Sequence, residues 1–208
     1  MFKKICFLSC LCLLGFAISA KADPIGPTGC VNNSCLGSQY TLTFAPTSNP
    51  DVFDIFLKID TSATTLPGDF LNAVAPKVSS SFNSVSLISG PPTFTGNPIS
   101  GGLSANGCNG AGSGFFCSGS SSVTGVPVGS GDVYMWEWAI FVNSPSDLFT
   151  AAGEASIKTL FVDANGKQAG ITSEPITLQS AVPEPGSLLL VCTGLMGAAV
   201  SVRRRFSR

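Results

Sequence analysis

Single apolar residues alternate with polar ones along several segments in the middle of the chain. Apolar side chains occupy every second position at 53–59, and a period of two places successive side chains on opposite faces of a β-strand. The segment 132–142 also predicts a strand, with the bulky residues from Tyr134 to Val142, including Trp136 and Trp138, on one face and Glu137 on the other. Shorter runs lie at 40–44, 157–162 and 176–178, and 74–89 predicts two strands around a break at 79–83. The pattern therefore predicts strands along most of the chain.

Turn-forming residues separate these predicted strands. Pro and Gly clusters recur about every dozen residues. The sequence Asp-Ala-Asn-Gly at 163–166 predicts a hairpin turn in which Asn-Gly supplies positive φ. No window has the period of an amphipathic helix, although 145–152 has room for one helical turn. Strands at this spacing favour an all-β fold, a single jelly-roll-like β-sandwich over 23–181.

The segment 90–131 departs from this pattern. It holds twelve glycines, and the stretch 78–131 has no charged residue. Such a region predicts a long loop or a pair of ragged edge strands, and long loops in compact domains often carry function. Phe115 and Phe116, at its closed end, are candidates for exposed binding residues. The alternative, which we favour, is that both rings pack back onto the core.

The predicted body contains the four cysteines Cys30, Cys35, Cys108 and Cys117. Four cysteines allow three pairings. We favour the two pairs that are close in sequence, 30 with 35 and 108 with 117, because each closes a short loop containing Gly or Asn. Disulfides point to an oxidising compartment. Zinc is the alternative, but neither spacing is C-x₂-C and the chain has no histidine. We therefore predict two disulfides, no metal site and no cofactor.

The N-terminus has the three parts of a secretory signal peptide. Two lysines form a basic start, and an apolar run follows at 5–18. Ala20 and Ala22 then supply the A-x-A form that signal peptidase reads. The sequence therefore predicts a signal peptide at 1–22 and export of the chain that follows it.

The C-terminus carries a second apolar segment. Residues 186–202 form an uncharged stretch of 17 residues, which is the lower limit for a helix that spans a bilayer core. The stretch is followed by Arg203, Arg204 and Arg205. These arginines should stay on the cytoplasmic side, which places the body outside. The pattern predicts a single transmembrane helix, and a permanent membrane anchor is one interpretation of it.

A short motif precedes this predicted helix. Pro183 and Pro185 fix φ and present Glu184 in an extended segment. The motif, followed by Gly-Ser, a Leu-rich run and the arginine cluster, resembles the PEP-CTERM sorting domain of Gram-negative bacteria, over 182–208. The resemblance implies recognition by an exosortase, a membrane protease/transpeptidase, with cleavage near the motif and transfer of the body to the outer surface or extracellular polymer. Some ice-binding proteins carry the same C-terminal domain, which implies no ice binding by this body.

The composition of the body argues against several functions. Residues 23–181 hold eleven Asp and Glu, four Lys and no Arg, and a net charge of about −7 argues against nucleic acid as a partner. Without histidine the chain lacks the usual general base, and no serine lies in a G-x-S-x-G elbow. Glu137, between two tryptophans, is a candidate glycosidase acid. An exposed Glu on a structural strand is the interpretation that we favour.

These observations predict an exported protein without catalytic activity. Signal peptidase would remove the signal peptide, and an exosortase would sort the protein through its tail. The predicted location is the inner membrane with the body in the periplasm, followed by the cell surface or extracellular matrix. One alternative is a module that binds extracellular polysaccharide through Trp136, Trp138, Phe115 or Phe116. Another is a glycoside hydrolase that uses Glu137.

Overall fold

The structure, a computed structural model, describes residues 24–181 apart from 29, 31–34, 67, 111 and 130. The predicted signal peptide and the sorting tail with its predicted membrane helix lie outside the described residues. Within the described part of the chain, no helix is long and apolar enough to cross a membrane. The strands of this part confirm the prediction of an all-β fold.

The described residues form thirteen strands and a short 3₁₀ turn. The strands are β1 (Gln39–Pro46), β2 (Val52–Asp60), β3 (Phe70–Lys77), β4 (Ser84–Ser89), β5 (Ile99–Ser100), β6 (Gly102–Ser104), β7 (Gly107–Gly110), β8 (Phe116–Gly119), β9 (Val126–Pro127), β10 (Val133–Phe141), β11 (Ala155–Val162), β12 (Gln168–Ile176) and β13 (Gln179–Ser180). The 3₁₀ turn at Pro145–Asp147 lies where the sequence left room for one helical turn.

Most of these strands belong to two sheets. Sheet A has the strand order β13-β1-β2-β10-β4, and sheet B has the order β12-β11-β3-β8-β5 with β9 beside β3. Strands β6 and β7 form a separate hairpin. The described pairs are antiparallel, except that β13 runs parallel to β1. The chain passes repeatedly between the sheets, for example from β2 to β3 and from β10 to β11, so each sheet combines distant parts of the sequence.

Alternation in β2 and β10 sorts their side chains between core and solvent. Every second residue of β2, from Phe53 to Ile59, is buried. In β10, Trp136 and Trp138 have no exposed surface, whereas Met135 is 58% exposed. A slip of one residue would turn both indoles into solvent, so burial fixes the register of the strand. The two strands therefore form as their alternation predicts.

Polar side chains link the two sheets across the core. The Tyr40 hydroxyl of β1 lies 3.2 Å from the hydroxyls of both Thr159 and Thr172, in sheet B. The indole N–H of Trp138 donates to Ser118 Oγ at 2.8 Å. One buried apolar cluster also draws residues from both sheets. The two sheets are therefore the layers of a β-sandwich around a shared core.

The hairpin turn predicted at 163–166 is confirmed. It joins the paired strands β11 and β12, and Gly166 supplies the positive φ, +77°. The Asp163 carboxylate accepts hydrogen bonds from the amides of Lys167 and Asn165, each at 2.9 Å. Because these N–H donors favour the ionised form, the pKa of Asp163 lies below its usual value. The carboxylate of the turn thus serves the backbone that it closes.

The prediction of a strand at 176–178 is wrong. Strand β12 ends at Ile176, and β13 begins at Gln179. The inward positions of β12 include Thr172 and Glu174, which are both buried. Because these inward residues are polar, β12 lacks the apolar face that a period of two would reveal. Its existence follows from pairing with β11 and not from its own sequence.

Candidate binding face

The two tryptophans are structural. The ring of Trp136 lies 5.1 Å from that of Phe94, and the ring of Trp138 lies 5.3 Å from that of Phe116, both in edge-to-face geometry. The indoles also stack on each other at 6.5 Å with an interplanar angle of 9°. Phe116, like both indoles, has no exposed surface. A sugar ring stacks only on an accessible aromatic face, so these three residues cannot provide a binding platform in the folded state.

The glycine-rich segment instead builds a flap on the outer face of sheet B. We call the β6–β7 hairpin, residues 102–110, the flap. Leu103 of the flap is buried in a second apolar cluster, whose other buried members are Ala73, Ala75, Cys117, Leu160 and Val162. These residues lie on the side of the sheet that faces away from the main core. The predicted ragged strands are therefore present, but only β5 lies at the sheet edge while the hairpin covers the sheet.

A disulfide holds the flap in place. Cys108 of the flap is bonded to Cys117 of β8, with a Cα–Cα distance of 5.4 Å. The second disulfide joins Cys30 to Cys35 with a Cα–Cα distance of 5.7 Å. Both are the pairs that the loop lengths favour. The first closes a glycine-rich stretch that has few side chains of its own with which to pack.

Phe115 lies between two lysines beside the flap. Its backbone forms an antiparallel bridge with Lys77 at the end of β3. The Lys158 ammonium is 4.7 Å from the centroid of the Phe115 ring, and the Lys77 ammonium is 5.7 Å from the same centroid. Lys77 is also 5.7 Å from the ring of Phe149. We refer to Lys77, Phe115 and Lys158 as the Phe115 cluster, which sequence reasoning missed.

An open depression of about 560 Å³ lies along the same face. Its floor includes Leu160 and Val162 of β11, and Lys167 comes from the β11–β12 turn. Its polar lining is made by amide and hydroxyl side chains, namely Asn72, Asn106, Ser120, Ser122 and Gln168. Amides and hydroxyls both donate and accept hydrogen bonds. The depression is therefore lined mainly by groups that form hydrogen bonds.

Charge differs between the two outer faces. Lys77, Lys158 and Lys167, three of the four lysines of the body, lie on or beside the outer face of sheet B. The fourth, Lys58, is exposed on β2, among the carboxylates that Asp54, Asp60 and Glu137 contribute to sheet A. Most lysines of the acidic body thus lie on one face.

The candidate acid Glu137 lies on the other face. Its side chain is half-buried and accepts a hydrogen bond from Ser89 Oγ at 3.2 Å. On the partner strand it is opposite Phe56. Among the described residues, no group of three or more His, Cys, Asp or Glu could hold a metal ion. The surroundings of Glu137 are those of a solvent-facing residue on a structural strand.

A family model matches the C-terminal part of the chain. Residues 181–205 match the PEP-CTERM protein-sorting motif, which covers about an eighth of the sequence. No curated protein matches this chain. The match includes Pro183, Glu184 and Pro185 and extends to the arginines at 203–205, so the tail carries the sorting motif that its sequence resembles. These residues, like Ala20 and Ala22 of the predicted signal peptide, lie outside the described part of the structure.

Proposed function

We propose that the protein is an exported, non-catalytic protein that an exosortase processes through its C-terminal tail. The observation that carries this proposal is the sorting motif at 181–205, because such a motif implies an exported protein that is processed at a membrane. The work of the protein would then be done by the body, at the cell surface or within extracellular polymer.

The proposed route has three steps. Signal peptidase cleaves after Ala22, the segment 186–202 holds the chain in the inner membrane, and the exosortase then cuts near Glu184. The body folds in the periplasm before that cut. Its two disulfides support this route, because disulfides persist in oxidising compartments.

Measuring the mass of the mature protein tests the sorting step. The full chain is expressed with and without an exosortase, beside a variant in which Pro183, Glu184 and Pro185 are all alanine. We expect loss of the tail only when the enzyme and the intact motif are both present. A mass that retains the arginine tail in every sample would contradict sorting and leave a permanent anchor.

The absence of catalysis is part of the same proposal. Glu137 is the one acid that the sequence singled out, and its environment on sheet A supports a structural role. Polysaccharide hydrolysis by the purified protein, measured for the parent and for Glu137→Gln, tests this point. Turnover by the parent that disappears in the variant would support the hydrolase alternative and overturn the proposal.

Polysaccharide binding is a second candidate function. The polar depression beside the flap favours it, because amides and hydroxyls are the groups that bind sugar hydroxyls. The candidate binding residues are therefore those that line the depression, and the buried indoles are no longer candidates. A Trp136→Ala variant would lose binding merely by damaging the core, so Asn106→Ala and Gln168→Ala are the informative variants on a glycan array.

The jelly-roll description also stays a proposal. The repeated passage of the chain between sheets A and B supports it, since strands that switch sheets are typical of that family of sandwiches. The β1–β2 and β11–β12 hairpins and the parallel β13–β1 pair are local departures from a purely antiparallel, sheet-switching path.

A further inference from the structure

We propose that the Phe115 cluster binds the carboxylate groups of an acidic polysaccharide. The inference deepens the second candidate function by naming its ligand class, and it rests on the proposed extracellular location. It starts from the convergence of two ammonium groups on one aromatic ring.

The backbone register places the two lysines close together. Lys158 of β11 is opposite Ala75, and Ser156 is opposite Lys77, so the two lysines are diagonal neighbours on one face of sheet B. Diagonal neighbours on paired strands lie about 7–8 Å apart. Both side chains then bend toward Phe115, which holds their ammonium groups within 4.7 Å and 5.7 Å of its ring centroid.

Attraction to the Phe115 ring explains only part of the convergence of the two ammonium groups. A cation is attracted to the face of an aromatic ring, but two cations near the same ring repel each other. A carboxylate between them would remove that repulsion and form a charge-assisted hydrogen bond with each ammonium. The arrangement thus favours an anionic ligand over a neutral one.

The surrounding strands provide no such carboxylate. Strands β3, β8 and β11 contain no Asp or Glu. The one carboxylate of β12, Glu174, is buried on the same inward side as Thr172. Although the body has eleven acidic residues, the outward positions of these four strands present no carboxylate to the two ammonium groups.

The charge of the whole body narrows the ligand class. A net charge of about −7 repels dense polyanions such as nucleic acid at long range. A polysaccharide with one carboxylate per sugar has lower charge density and offers hydroxyl groups as well. The depression lined by Asn106, Gln168 and other polar residues lies on the same face, where it could accept those hydroxyls.

Fluorescence anisotropy tests the proposal. It measures the binding of fluorescently labelled polymannuronate to the purified mature protein. The variants are Lys77→Gln/Lys158→Gln and, as a matched control on the opposite sheet, Lys58→Gln. We expect the double variant to raise Kd at least tenfold and the control to change Kd by less than twofold. Lys77→Arg/Lys158→Arg should retain most of the affinity because it keeps both charges.

Four results would overturn the proposal. They are an equal loss of affinity in Lys58→Gln, equal binding of neutral dextran, the absence of polymannuronate binding at low salt, and tighter binding of double-stranded DNA than of polymannuronate. The last would point to a nucleic-acid ligand. Near-ultraviolet circular dichroism of the buried tryptophans verifies that each variant is folded. The masses of the same samples report processing, so failure of the site and failure of sorting are distinguishable.

Discussion

The two outer faces of the sandwich are built differently. No described element covers the outer face of sheet A, where Met135 and Phe141 of β10 are exposed beside the carboxylates of Asp54, Asp60 and Glu137. The outer face of sheet B is covered in part by a disulfide-held flap and carries the lysines of the Phe115 cluster. The flap shields apolar positions of sheet B that would otherwise face solvent. We propose that the face beside it binds the ligand, and the outer face of sheet A provides the internal control.

The largest effect is expected in the core that supports both faces. Trp138→Ala should lower the free energy of unfolding by about 3–5 kcal/mol, because it leaves a large cavity and removes the hydrogen bond to Ser118. Met135→Ala, on the outward side of the same strand, should change it by about 0.5 kcal/mol or less. Urea unfolding followed by tryptophan fluorescence compares the two. Similar losses would mean that the inward and outward faces of β10 are wrongly assigned.

The flap disulfide should give the next largest effect. Cys108→Ser/Cys117→Ser should cost about 2.5 kcal/mol, the value expected from loop entropy for a closed loop of this length. Limited proteolysis should then cut the flap first, since few buried side chains hold it. The matched control Cys30→Ser/Cys35→Ser should cost about 2 kcal/mol and leave the flap protected. A flap that stays protected in both variants would show that Leu103 holds it without the disulfide.

The core between the two sheets should make the free energy of unfolding sensitive to alkaline pH. Burial raises the pKa of the Tyr40 hydroxyl, and hydrogen bonds from Thr159 and Thr172 offset part of that increase. Because the folded state favours the neutral phenol, this contribution is complete below about pH 10, the usual pKa, and is lost as pH rises through the raised value. Unfolding free energy measured across this range should fall, and Tyr40→Phe should make the fall shallower.

Part of the alkaline loss should survive that substitution. Burial, together with the Asp132 carboxylate, also raises the pKa of Tyr134, so the second tyrosine contributes in the same direction. An unchanged slope in Tyr40→Phe would contradict the role assigned to the buried hydroxyl that links the two sheets.

The smallest effect is expected on the outer face of sheet A. Met135→Lys should alter stability by about 0.5 kcal/mol or less and should leave polymannuronate affinity within twofold, because the site lies on the opposite sheet. Anisotropy and urea unfolding on the same preparation measure both quantities. Loss of binding in this variant would reverse the comparison and make sheet A the working face.

Sequence reasoning succeeded where one strand carries its own signal. Strand β10 places its bulkiest apolar residues at every second position and Glu137 between the two indoles, so both its existence and the inward direction of Trp136 and Trp138 follow from period two. It failed for β12 because the inward residues Thr172 and Glu174 are polar. The Phe115 cluster was out of reach for another reason: Lys77 and Lys158 are far apart in sequence, and only the β3–β11 register brings them together. The signal available in the sequence was that both lysines fall at outward positions of strands.

The central claim is tested most directly by mapping which residues of the protein contact the ligand. Amide chemical shifts of the ¹⁵N-labelled mature protein are recorded during titration with a mannuronate oligosaccharide. We expect the largest shifts at Lys77, Phe115 and Lys158, with further shifts toward the depression beside the flap. Shifts confined to the outer face of sheet A, or the absence of shifts at a saturating concentration of the oligosaccharide, would contradict it.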